Sequence, residues 1–245
     1  MTTTTDIGNR ALAMLGSRTN MASLAENSNE AIQVNLVYSI VTDWAFAATN
    51  WNFARKVAVL PVSKSVVLPP GTWTSASPQP PWFSESVLPT DFIRAIYVTN
   101  MAAQGSTGYA GEPQRFVLGT DFIAAVQQQV VLTNATNALL VYTSRVSDPT
   151  LWPAMFERFA VAALANAVVF QLTGDKSLAG LIRENMMTFF QIAEQQNVAE
   201  ELLYTDVTPE WIQAIGIKYP IRRYGPRGPV PEAPRQQNDR QQRPT

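Results

Sequence analysis

The chain has 245 residues, 46% hydrophobic and 15% charged, enough apolar material to fill the core of one large domain or two small ones. It contains neither Cys nor His, which excludes disulfides, thiolate metal sites, a cysteine nucleophile and imidazole acid–base chemistry. The net charge of −1 is unevenly spread: residues 221–245 hold six Arg against Glu232 and Asp239, so a mildly acidic body is joined to a basic end.

The N-terminal "MTTTTDIGNR" lacks a basic region followed by an apolar run and does not read as a secretory signal. "TDIGNRALAMLG" predicts a short amphipathic helix with Thr5 as N-cap, Ile7, Ala11, Met14 and Leu15 on one face, and Gly16 as a left-handed C-cap. In "NSNEAIQVNLVYSIVTDWAFAATN", Asn27 and Glu30 have capping-box spacing. Ile32, Leu36, Ile40 and Trp44 then recur every four residues with Val37 and Val41 beside them, a stripe expected to bury a long second helix against partners.

From "WNFARKVAVLP" the pattern becomes alternation at Phe53, Val57 and Val59. Residues 61–90, rich in Pro, Ser and Gly, predict a long exposed loop with at most a short hairpin, because such residues do not sustain an interior strand. Five or six strands follow in "DFIRAIYVT", "QRFVLG", "DFIAAV", "QQVVLT" and "ALLVYTSRV", with a turn expected at Gly119. Helical chemistry returns with Asp148, Pro149 or Thr150 at a start, Pro153 in the first turn and a stop at Gly174. The run "FAVAALANAVVFQLTG" is short for a bilayer span and reads as a buried helix, in a protein made soluble inside the cell. Asp175 caps a partner helix with the stripe Leu178, Ile182, Met186, Phe189 and Ala193, and Thr208, Pro209 and Gly216 bound a last short helix.

The expected fold class is α+β, a helical bundle from the two terminal parts with an inserted antiparallel sheet or barrel and an extended C-terminal arm. The corresponding divisions are 1–52, 53–147, 148–216 and 217–245.

Catalytic signatures are sparse. No Gly-rich phosphate loop, G-x-S-x-G elbow or metal-ligand spacing occurs. The carboxylate pairs Glu26/Glu30 and Glu200/Glu201 have an acid–base reading, but such pairs are mostly solvated helix faces. Trp73, Trp82 and Phe83, in the proline-rich loop, suit a protein interface, packing within the domain, or stacking on a base or sugar. The arm admits three readings: a phosphate binder with only Tyr224 for stacking, a docking peptide held open by its prolines, or a solubilising tail.

Several stretches together resemble the tail tubular protein A, or head-to-tail adaptor, family of short-tailed bacteriophages. They are "ALAMLG" at 11–16, "WNFARKVAVLP" at 51–61, "LPTDFIRAIYV" at 88–98 and "VYTSRVSDPTLWPAMFERFAVAALANAVVFQLTG" at 141–174. The resemblance is one of order and spacing. It implies a non-enzymatic virion protein, without cofactor, metal or membrane, made in the host cytoplasm. About twelve copies would form a ring beneath the portal, with DNA passing non-specifically through the lumen. It implies portal docking through the arm, for which Ile221, Arg222, Arg223, Tyr224, Arg227, Val230 and Arg235 are candidates, and contact of the β region with the tail nozzle through Trp73, Trp82 and Phe83. The chain departs from that pattern in its longer proline-rich loop and longer arginine–proline tail. The competing reading is a nucleic-acid- or glycan-binding protein or hydrolase with a flexible basic tail.

Overall fold

The computed structural model describes residues 2–66, 77–100, 113–123, 125–135 and 137–200. All of them belong to one compact unit, Met1–Glu201. It is an α+β protein with antiparallel sheets. Four helices, α1 (Thr4–Met14), α2 (Asn29–Ala47), α3 (Ala154–Thr173) and α4 (Lys176–Glu200), flank seven strands. These are β1 (Arg55–Val59), β2 (Val62–Ser65), β3 (Ser84–Val87), β4 (Phe92–Asn100), β5 (Phe116–Ile123), β6 (Val126–Thr133) and β7 (Ala138–Ser144).

Helix ends follow local chemistry. Thr3, two residues before the expected Thr5, caps α1, because Asp6 lies three residues on and completes a reciprocal capping box. Gly16, at φ 77°, supplies the left-handed step after α1. At α2 the cap is Ser28, whose hydroxyl accepts from Ala31 N–H at 3.2 Å. The expected Asn27/Glu30 box does not form, and Glu26 instead accepts from the Ser28 hydroxyl at 2.6 Å. Asp148 caps a 3-10 turn, Pro149–Leu151, and α3 begins only after Pro153. Gly174, at φ 65°, ends α3, and Asp175 accepts from Ser177 and Leu178 N–H at the start of α4, as the residues predict. The short helix expected at 208–216 and the arm lie outside the described residues.

The central element is α3. Half of its 20 residues are buried, and α1, α2 and α4 all pack on it. Among the described helices it alone is long and apolar enough to cross a membrane, but here its apolar surface is spent on its neighbours. The α4 stripe is confirmed: Ile182, Met186 and Ala193 are buried, with Leu178 and Phe189 partly so.

An aromatic cluster joins the helical layer to the strands. Trp51 and Phe53, where the chain leaves α2, meet Phe156 at centroid distances of 5.0 and 4.8 Å, and Trp152, where the chain returns, meets Phe46 at 5.8 Å. Trp51 is almost wholly buried, and its indole N–H donates to the Ala45 carbonyl at 2.9 Å. Asn197 of α4 fastens the same corner, accepting from Asn52 N–H at 2.7 Å and donating to the Asn50 carbonyl at 2.9 Å.

The strands form two open antiparallel sheets, ordered β1-β7-β4 and β2-β3-β6-β5, rather than a closed barrel. Both sheets contribute to a second apolar cluster, with Val98, Leu140 and Tyr142 from one and Val131 and Phe116 from the other. Two expectations are corrected here. Gly119 is not a turn but the middle of β5, paired with Val130, and the hairpin turns after Ile123, with Ala125 at φ 66°. The apolar run of β6 holds Gly119 extended, and ladder pairing outweighs the local preference of glycine. The segment 61–90 holds the short hairpin allowed for it, β2 paired with β3, but contrary to expectation β3 is an interior strand although its sequence is Ser-Glu-Ser-Val. Its backbone, paired on both sides, stabilises it without help from its side chains.

Replacing Trp51 with Ala removes a buried ring and its hydrogen bond from the corner shared by both layers. The expected loss is about 3–5 kcal/mol, read as a drop in the urea midpoint at unchanged m-value.

Candidate assembly surfaces

The i, i+4 stripe of α2 is the largest departure from expectation. The helix buries Ala31, Val34, Thr42, Ala45 and Phe46, which form its other face. Ile32, Leu36, Ile40 and Trp44 point outward at 51, 68, 70 and 51% exposure. The helix is apolar on two faces, and the one carrying Ala31, Val34, Ala45 and Phe46 packs on α3 and α1. The other is left as a ridge about 18 Å long. Its exposed neighbours Asn35 and Ser39 are uncharged, and the only charged side chains on α2 are Glu30 and Asp43. Isolated exposed apolar residues are ordinary, whereas an aligned row of four makes this face a candidate interaction surface.

Trp44 fixes one end of the ridge by meeting Phe159 at a centroid distance of 5.8 Å. It also lines a groove of about 770 Å³ that runs from α2 to the two sheets, with Ala47, Phe92, Leu118 and Gln129 among its walls. Asp43 and Arg145 lie at the same groove in a bidentate pair, Nε to Oδ1 at 2.7 Å and Nη2 to Oδ2 at 2.6 Å. That fork ties α2 to the segment after β7 and leaves its polar atoms satisfied. A looser apolar set, Leu181, Met187, Ile192 and Val198, is exposed on α4.

Of the residues singled out in the sequence, Trp82 and Phe83 are half-buried where the chain enters β3. Phe83 N–H donates to Asn134 Oδ1 at 2.9 Å, and its carbonyl accepts from Val66 N–H at 2.9 Å. Trp73 and the arm residues Ile221, Arg222, Arg223, Tyr224, Arg227, Val230 and Arg235 lie outside the described residues. Glu26 serves its own loop, accepting from Ala22 N–H at 2.8 Å and from Ser28, while Glu30 accepts from the Thr19 hydroxyl at 3.5 Å. Glu201 of the second carboxylate pair lies outside the described residues.

Two charge clusters stiffen the sheets. Asp91 accepts from Lys56 at 2.6 Å and from the Tyr142 hydroxyl at 2.9 Å. Burial opposes ionisation of Asp91, but these two donors hold it below the usual carboxylate range. Burial and then the Asp91 bond push Tyr142 up to about 12. On β3, Glu85 is fully buried with neither oxygen hydrogen-bonded; Lys64 Nζ lies 3.6 Å away and is itself engaged by Asp121. Burial, followed by the Asp121 charge, pushes the Glu85 carboxyl above its ordinary range against the pull of Lys64. Among the described residues no group of three His, Cys, Asp or Glu side chains is placed to hold a metal. Neither a family model nor a curated protein matches the sequence.

Two outcomes follow from this geometry. Leu36→Gln with Ile40→Gln leaves the unfolding free energy within about 0.5 kcal/mol of the parent, since neither side chain is in the core, and lowers the fluorescence of an apolar dye bound to the native protein. For Glu85 the folded state favours the proton, so its ionisation weakens the fold as pH rises above the range where an unfolded glutamate ionises. Glu85→Gln therefore raises Tm near about pH 7, and the gain disappears on acidification toward about pH 4, where the parent carboxyl is also neutral.

Proposed function

We propose that the protein is a structural head-to-tail adaptor of a short-tailed phage. In this reading it forms a ring of about twelve copies between portal and tail nozzle, and the ring lines the passage for DNA. The observation that carries this reading is the outward ridge Ile32, Leu36, Ile40 and Trp44, an apolar row that the described residues leave half or more exposed. A second copy laid against it removes that row from water. In this reading the ridge meets a different face of the next copy, so the contact repeats around a ring rather than closing a dimer. The order of elements, two helices, a β region and a helical hairpin rooted in one aromatic corner, agrees with the adaptor resemblance. In this reading the arm residues Ile221–Arg235 dock on the portal, and Trp82 and Phe83 face the nozzle.

The deciding experiment mixes the chain with purified portal rings and weighs the product by native mass spectrometry. An adaptor adds a ring of copies that persists in high salt, because apolar and hydrogen-bonded contacts are weakly screened. Leu36→Gln with Ile40→Gln abolishes ring addition while leaving the monomer folded. A chain that ignores portal but binds nucleic acid with steep salt dependence overturns the reading in favour of a basic-tailed binding protein.

A further inference from the structure

The four outer strand edges of the two sheets are not treated alike. β1 opens with Arg55 and Lys56; β2 is four residues long, carries Lys64 and shifts register; β4 carries Arg94 and two register shifts. Short length, basic side chains and bulges are the devices that keep sheet edges from pairing with other chains. Among the described residues β5 has none of these three, and its one charged side chain, Asp121, is engaged by Lys64 of β2. β5 runs eight residues, "FVLGTDFI", in unbroken register with β6, contains no Lys, Arg or Pro, and exposes Val117, Leu118 and Phe122 at 46, 46 and 65%.

The backbone groups that β5 offers are set by its hairpin. A two-residue connection makes its flanking pair, Ile123 and Val126, a hydrogen-bonded pair. Alternation then turns the N–H and C=O of Phe116, Leu118, Thr120 and Phe122 away from β6. The Phe122 N–H agrees: it donates to Asp121 Oδ1 at 2.7 Å rather than to the ladder.

From this edge we infer that β5 pairs with β5 of a second copy, antiparallel about a two-fold axis through Thr120. The occupant follows from self-complementarity. In that register Leu118 of each copy lies opposite Phe122 of the other, Val117 opposite Ile123, and Gly119 opposite Asp121, where the missing side chain leaves room for the carboxylate. Residues with outward N–H and C=O face one another, so both hydrogen bonds form at Thr120–Thr120 and at each Leu118–Phe122 pair. A shift of one residue in each copy toward the C-terminus sets Asp121 against Asp121, like charges directly opposite. The reverse shift sets Asp121 against Val117 and Leu118 against Thr120. Of these three registers the one through Thr120 sets two apolar pairs of β5 against each other, Leu118–Phe122 and Val117–Ile123, where the reverse shift keeps only Phe116 against Phe122, and it joins the two four-stranded sheets into one. The Phe122 N–H exchanges its Asp121 acceptor for the Leu118 carbonyl of the other copy. This pairing is a property of the free chain and does not rest on the adaptor reading.

Sedimentation of the full chain at up to about 100 μM tests it. The parent is expected to show a concentration-dependent dimer that survives Leu36→Gln with Ile40→Gln and is lost in Thr120→Pro. The proline removes an outward N–H and leaves the β6 ladder whole, so its circular dichroism matches the parent. Thr120→Cys, the only thiol in the chain, is expected to give a covalent dimer with a short bis-maleimide, whereas Val59→Cys is not. A monomeric parent at that concentration, a dimer that persists in folded Thr120→Pro but vanishes with the ridge substitutions, or equal cross-linking at positions 59 and 120 overturns the inference.

Discussion

The structure depends on one aromatic corner. Phe46, Trp51, Phe53, Trp152 and Phe156 come from the last turn of α2, the exit toward β1 and the return into α3, so departure and return of the β region are pinned in the same cluster. About ninety residues of sheet and loop are thereby closed into a loop whose ends touch, and the entropy of that closure is offset by rings buried once for both layers. The Asn197 bonds and the Asp43–Arg145 fork fix the angle at which the layers meet. Surfaces on α2 and on the sheets consequently keep a set relation to each other.

Much of this was legible beforehand. The α3 boundary at Gly174, the Asp175 cap and the α4 stripe follow from local chemistry that tertiary contacts reinforce. The strands β4, β6 and β7 stood out as β-branched and aromatic runs. Less legible was β3, whose serines and glutamate carry no strand signal because its stability comes from its neighbours' backbone. Gly119 misled for the same reason, since a glycine that could turn is held straight by Val130.

The α2 stripe was visible but read with the wrong sign. Periodicity identifies a face that avoids water; it does not say whose core that face joins. The clue lay in the other face, where Ala31, Val34, Thr42, Ala45 and Phe46 fall on one side of the same helix. Of the two apolar faces on this helix, the described residues cover one and leave the other largely exposed. The arm, by contrast, was conspicuous from composition alone, and its candidates are the arginines together with the few apolar side chains among them, Ile221, Tyr224 and Val230.

The placement of α3 also orders events in time. It is the hub on which α1, α2 and α4 pack, yet it is among the last described elements to leave the ribosome. Until residues 154–173 emerge, the inner face of α2 lacks its main packing partner, so a nascent chain exposes more of that helix's apolar surface than the finished protein does. Contacts that span most of the sequence make such a chain slow to consolidate and leave its half-made forms prone to sticking. Synthesis of the final third is thus the step at which the N-terminal helices acquire a core.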